Sequence, residues 1–171
     1  MDGVIEWKKT NYNYIQMKFA YAIITAYSVI EELGLDVRAS KDNPSTLENG
    51  EWNPLVLNDL VNRLTRSNID ITQNIQWMIR GEKTKIEQDK PIKTVSLTEW
   101  ADSDNNSDSL QISNKDSYIY IPDAINFISF LRSKISSHCV KDRIMDLSVF
   151  DVANAQFLAQ RLLLEKVGLW K

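Results

Sequence analysis

Cysteine, histidine, glycine and proline are all scarce in this chain of 171 residues. The single cysteine, Cys139, excludes a disulfide within the chain, and no zinc-ligand spacing is present. The single histidine, His138, leaves no second imidazole to serve as the base of a serine triad. With only 5 glycines there is neither a Walker loop nor a dinucleotide glycine pattern. No run approaches the 18 or so apolar residues of a membrane span; the strongest stretch, Ala20 to Leu33, is too short and carries Glu31 and Glu32. The opening MDGVIEWKKT lacks the basic-then-apolar layout of a secretory leader. Together with the lone thiol, this sets the expectation of a cytoplasmic protein with no membrane association.

An excess of positive charge is missing too. The net charge of −3 and pI near 5.2 argue against a protein that grips nucleic acid by bulk electrostatics. They leave room for a local basic site. Arg132, Lys134, Lys141 and Arg143 cluster against the single Asp142, whereas Glu99, Asp102, Asp104, Asp108 and Asp116 form a separate acidic stretch. The segment from Asp102 begins like a calcium loop, but Ser107 stands at the glycine position and Ser113 where the bidentate glutamate belongs. No metal or other cofactor is therefore expected.

What is present is the composition of a globular protein, 43% hydrophobic and 25% charged. A chain of this length suits one domain spanning 1–171, with a core large enough to need no staple. From about Tyr12 to Leu33 two stripes recur at helical spacing. One is Tyr14, Met17, Tyr21, Ile24 and Ser28; the other is Phe19, Ile23, Tyr27 and Ile30. A helix apolar on two faces is expected inside a bundle, with Gly34 as its stop. Residues 36–53 read as loop. Asn53-Pro54 opens a helix to about Arg66, and Asp70-Ile71-Thr72 is expected to open a shorter one carrying Ile75, Trp77 and Met78. Residues 82–116 read as a loop-rich insertion. Within residues 94–121, Val95–Leu97 and Ser117–Ile121 are candidates for a small β-hairpin. Pro122-Asp123 starts a helix toward Lys141 with the stripe Ala124, Ile128, Leu131, Ile135. Ser148 and Asp151 form a capping-box pattern for a last helix ending at Gly168. The fold class expected is all-α, a helical bundle with long loops.

The string carrying chemistry is Leu131-Arg132-Ser133-Lys134-Ile135-Ser136-Ser137-His138. Arg132 and His138 lie about 120° apart on an ideal helix, flanking the Ile128/Leu131/Ile135 stripe. Two such helices packed along that stripe bring four polar side chains to one cleft. Histidine titrates near neutrality and serves as acid or base; arginine offers a permanent cationic fork matched to phosphate oxygens. The bland alternative is a helix-end histidine acting as a C-terminal cap, with Cys139 a half-buried thiol.

This pattern resembles the HEPN family, whose signature is arginine, four to six residues, then histidine on the penultimate helix of a short bundle. The flanking Asp123-Ala124-Ile125-Asn126, Asp151-Val152-Ala153-Asn154-Ala155-Gln156 and Arg161-Leu162-Leu163-Leu164-Glu165 are similar to a prokaryotic branch of it. The resemblance covers about the last 50 residues. It implies a HEPN-like bundle and a metal-independent endoribonuclease that uses the 2′-hydroxyl of RNA. Such proteins are commonly homodimers with facing motifs, in toxin or antiphage defence settings, with a regulatory partner protein. Arg132 and His138 would be the catalytic pair, Ser133, Lys134, Glu31 and Glu32 supporting residues, and Lys141 and Arg143 RNA contacts. Ser133 departs from the family, which often carries Asn, Asp or His there. The alternative function is a non-catalytic dimerisation or interaction module retaining the same fold.

Overall fold

The helix ends decide where each element stops. The computed structural model describes the backbone of residues 2–79, 94–98, 115–137 and 147–170, and the side chains of 14–78, 118–133 and 147–170. Helix α1 (Asp2–Glu32) closes on Gly34, whose φ of 70° only glycine adopts without strain. Leu35 N donates to Ile30 O at 3.0 Å and Gly34 N to Glu31 O at 2.9 Å, a Schellman closure that buries Leu35. The carbonyls just past the helix are claimed from outside: Arg63 donates to Gly34 O at 2.6 Å and Lys166 to Leu33 O at 3.0 Å. Cations meet the negative end of the helix there.

Helix α2 (Pro54–Arg66) opens as expected, with Asn53 Oδ1 accepting from Leu55 N at 3.1 Å and Pro54 in the first turn. The segment before it is loop, held by an isolated bridge between Thr46 and Trp52. Trp52 Nε1 donates to Asp123 Oδ1 at 2.6 Å and so pins this loop to the start of the helix that opens at Ile121.

The expectation of a short helix after Asp70 is corrected. Asp70 Oδ1 instead accepts from Thr72 N at 2.9 Å and Thr72 Oγ1 at 2.6 Å, folding the residues into a tight turn. The chain leaves it as strand β1 (Asn74–Ile79). Ile75 and Trp77 are fully buried with exposed Gln76 between them, the alternation of a strand covered on one face. An apolar run this short has no unique period, and the β-branched and aromatic content was the better guide.

Strands β2 (Thr94–Thr98) and β3 (Lys115–Tyr120) pair antiparallel, which realises the candidate hairpin. The sheet is larger than that hairpin, because β1 also pairs with β3, giving the order β1-β3-β2. The architecture is mostly helical with a three-stranded antiparallel sheet rather than purely α. The other residues of 82–116 lie outside the described ones.

Strand β3 runs without a connecting loop into helix α3 (Ile121–Ser137). Ala124, Ile128 and Leu131 are buried as the stripe predicts, joined by Ile125 and Phe127. The Phe127 ring meets Trp77 edge-on at 5.7 Å, fastening α3 to the sheet. Helix α4 (Val149–Lys166) starts at the expected capping box: Ser148 N donates to Asp151 Oδ2 at 2.7 Å, and Asp151 N to Ser148 Oγ at 3.3 Å. It packs along α1, and the core forms where α1, α3, α4 and β1 meet.

Two side chains of α4 hold the sheet in place. Asn154 donates to Met78 O at 2.9 Å and accepts from Met78 N at 3.0 Å, satisfying both backbone groups on the outer edge of β1. Buried Arg161 donates to Glu165 Oε1 (2.7 Å), Asn74 O (3.1 Å) and Gln73 Oε1 (2.9 Å), and Glu165 Oε2 accepts from Asp70 N at 3.1 Å. Trp170 closes over Arg161 at 5.4 Å and meets Phe157 edge-on.

A second correction concerns α1. Ile23, Tyr27 and Ile30 are buried, but the other stripe faces outward, with Tyr14 57%, Met17 50% and Tyr21 65% exposed. Among its described side chains, residues 14–32, α1 is thus covered on one face only. Among the described residues no helix is long and apolar enough to cross a membrane.

Candidate functional site

Arg132 sits on α3 one residue past fully buried Leu131, so its stem starts at the core and its head reaches the surface. Two groups on α1 meet that head. Glu31 Oε1 lies 3.2 Å from Arg132 Nη2, and the Tyr27 ring lies 5.6 Å beneath the guanidinium carbon. Tyr27 and Glu31 are spaced i, i+4 and share a face of α1. Tyr27 also donates its phenolic hydrogen to Ser129 Oγ at 3.1 Å, one turn before Arg132 on α3. Two residues of each helix therefore interlock.

The cluster grades from dry to wet. Tyr27 is 4% exposed, and burial pushes its phenol above its ordinary value, with Asp36 and Glu31 adding to the effect and Ser129 and Arg132 opposing it. A phenol held neutral donates a hydrogen bond and does not act as a base near pH 7. The Arg132 and Glu31 side chains are 42% and 40% exposed, so their ion pair is screened and contributes at most ~1 kcal/mol to stability. Its consequence is geometric. A carboxylate on one side and a ring face below restrict a long cation that is still open to solvent. A guanidinium carries five N–H donors, and one Glu31 oxygen cannot occupy them all.

The other expected residues distribute as follows. Glu32 is exposed one position further round α1, about 100° from Glu31. Ser133 is exposed and donates to Phe130 O at 2.8 Å, a bond within its own helix. Lys134 lies on α3, its side chain outside the described residues, as are His138, Lys141 and Arg143 altogether. The structure thus brings Arg132 and Glu31 together. Tyr27, which the helical spacing placed in a core stripe, and Ser129, which no sequence pattern singled out, complete the cluster. The available signal was the matched spacing: Tyr27 and Glu31 one turn apart on α1, Ser129 and Arg132 one turn apart on α3.

Among the described residues there is no group of three metal-ligating side chains. A separate groove of about 410 Å³ runs between α1 and α4, lined mainly by Ala22, Ala26, Val29, Ala159 and Leu163. It lies across α1 from Arg132, is mostly apolar with Thr25, Gln156 and Gln160 also in its lining, and holds no cationic side chain to meet a phosphate. Comparison of the chain with protein-family models, curated proteins and solved structures finds no significant match, and the family reading rests on the motif text alone.

Proposed function

We propose that this protein is a metal-independent RNA endonuclease, a HEPN-like domain spanning 1–171 that acts as a homodimer in a toxin or antiphage defence setting. Arg132 binds the scissile phosphate and stabilises the charge that develops on it. His138, beyond the described end of α3, moves the proton as the 2′-oxygen attacks phosphorus and the 5′-oxygen departs. Lys141 and Arg143 contact the RNA strand, and Ser133, Lys134 and Glu32 line the approach. The observation that carries this reading is the guanidinium of Arg132, held at a fixed position by Glu31 and Tyr27 yet left open to solvent. A structural arginine is usually consumed by its partners, as Arg161 is here. Purified protein should cut single-stranded RNA in EDTA, and Arg132→Ala and His138→Ala should each lose at least ~10²-fold in rate while remaining folded. Full activity in His138→Ala, or loss of activity to chelator, overturns the proposal.

A second reading is favoured by one observation, the uncovered stripe of Tyr14, Met17 and Tyr21. On that reading the chain is a non-catalytic dimerisation module. It predicts a stable dimer that Tyr21→Glu dissociates, and no RNA cleavage by either form.

A further inference from the structure

We infer that Tyr27 is a positioning residue for Arg132: its ring is the floor on which the guanidinium rests, and its hydroxyl, through Ser129, fixes α3 against α1 at the height where Arg132 emerges. The inference rests on the proposed role of Arg132. It concerns a residue that never touches the substrate.

The geometry separates this from ordinary packing. A core tyrosine needs only apolar neighbours and one hydrogen-bond partner for its hydroxyl. Tyr27 has that partner in Ser129 at 3.1 Å, and in addition presents its ring face to a cation at 5.6 Å, within cation–π range. The same cation is tethered laterally by Glu31 at 3.2 Å, one turn along α1 from Tyr27. An arginine side chain has many rotamers, and holding it in one of them before substrate arrives removes that ordering from the binding step. Glu31 alone is a poor mount, because a solvated carboxylate swings with the cation. The ring is buried and tied at its hydroxyl to Ser129. The arrangement leaves in-plane N–H groups that the one Glu31 oxygen does not engage for a phosphodiester oxygen.

A structural role and a positioning role predict different data. Tyr27→Phe keeps the ring and loses only the Ser129 bond, so cleavage should stay within about 3-fold of wild type. Tyr27→Leu removes the ring face and should lower kcat roughly 10-fold with less change in KM. In an Arg132→Ala background Tyr27→Leu should have no further effect on cleavage, because the group it positions is gone. Multiplicative losses in that double variant overturn the inference. Because Tyr27→Leu opens space in the core, a second measurement guards against misfolding. With ¹⁵N-labelled arginine, the Arg132 Nε–Hε resonance should be ordered in wild type and in Tyr27→Phe. It should be averaged in Tyr27→Leu and, as in Tyr27→Phe, stay ordered in Ser129→Ala, which loses the same bond and keeps the ring, with backbone resonances otherwise retained. An Arg132 resonance equally ordered in Tyr27→Leu overturns the inference. This signal does not depend on catalysis. A wild-type protein that cuts no RNA therefore defeats the nuclease proposal, while the resonance still decides whether Tyr27 holds the arginine.

Discussion

Replacing Asn154 by alanine removes the side chain that closes the free edge of β1. In the folded protein this buried amide makes two bonds to one residue, accepting from Met78 N at 3.0 Å and donating to Met78 O at 2.9 Å. Each such bond contributes a net ~0.5–1.5 kcal/mol, and a backbone group left unpaired costs a further ~1–3 kcal/mol if water cannot reach it. Met78 is only half-buried, so water recovers part of that second cost. The expected loss is about 2–4 kcal/mol, or roughly 4–16 °C in Tm for a chain of this size. Urea unfolding followed by tryptophan fluorescence measures it, and the slope with denaturant should be unchanged. Asn154→Asp supplies an internal check. Its carboxylate can accept from Met78 N but faces Met78 O with no hydrogen to give, so it should be at least as damaging as alanine near pH 7. It should recover relative to wild type as acid protonates it. A loss below about 0.5 kcal/mol for the alanine variant would refute the claim that Asn154 holds the strand.

Other perturbations read different parts of the molecule. Arg161→Met leaves Glu165 buried without its 2.7 Å partner and also strips Asn74 O and Gln73 of their donor; it should cost about 3–5 kcal/mol in urea unfolding, and a near-neutral result would show the network to be dispensable. The buried phenol of Tyr27 ionises at a higher pH in the folded state than in the unfolded state. Its stabilisation is complete below the unfolded value near 10 and is lost as pH rises through the folded value. Wild type should therefore lose stability more steeply than Tyr27→Phe above about pH 10, as read from urea midpoints between about pH 9 and 11.5; parallel curves would contradict the assigned cause.

Helix α1 begins at Asp2, well before the expected Tyr12, because no cap marks its start; the helix termini that were legible are set by local chemistry. Asn53-Pro54, Gly34, Ser148 with Asp151, and Gly168 each act within a few residues, and the structure uses every one of them. The stretch after Asp70 was not legible. An aspartate followed by threonine suits a turn as well as a helix cap, and the choice depends on β3, which arrives from 40 or so residues later in the chain. The outward face of α1 escaped for a related reason: helical spacing reveals that a stripe is apolar, not whether anything in the same chain covers it. At the candidate site the sequence pointed to Arg132 and offered Glu31 or Glu32 as its support, but gave no sign of the ring beneath it. Tyr27 reads as one more core aromatic until α1 and α3 are laid side by side. Asn154, Arg161 and Glu165, quoted as part of the resemblance, serve in the structure to lock α4 to β1 and the turn before it. Their part in the pattern concerns architecture rather than chemistry.

The central claim is that Arg132 and His138 cut RNA through its own 2′-hydroxyl. The most direct measurement is the end group left on a single-stranded RNA oligonucleotide digested in EDTA, beside the same oligonucleotide with one 2′-deoxy residue at the cleaved position. The account predicts a 2′,3′-cyclic phosphate from the first and no cut at the substituted position in the second. Cleavage at the 2′-deoxy position, or a new 3′-hydroxyl on the upstream fragment at the cut, would contradict it.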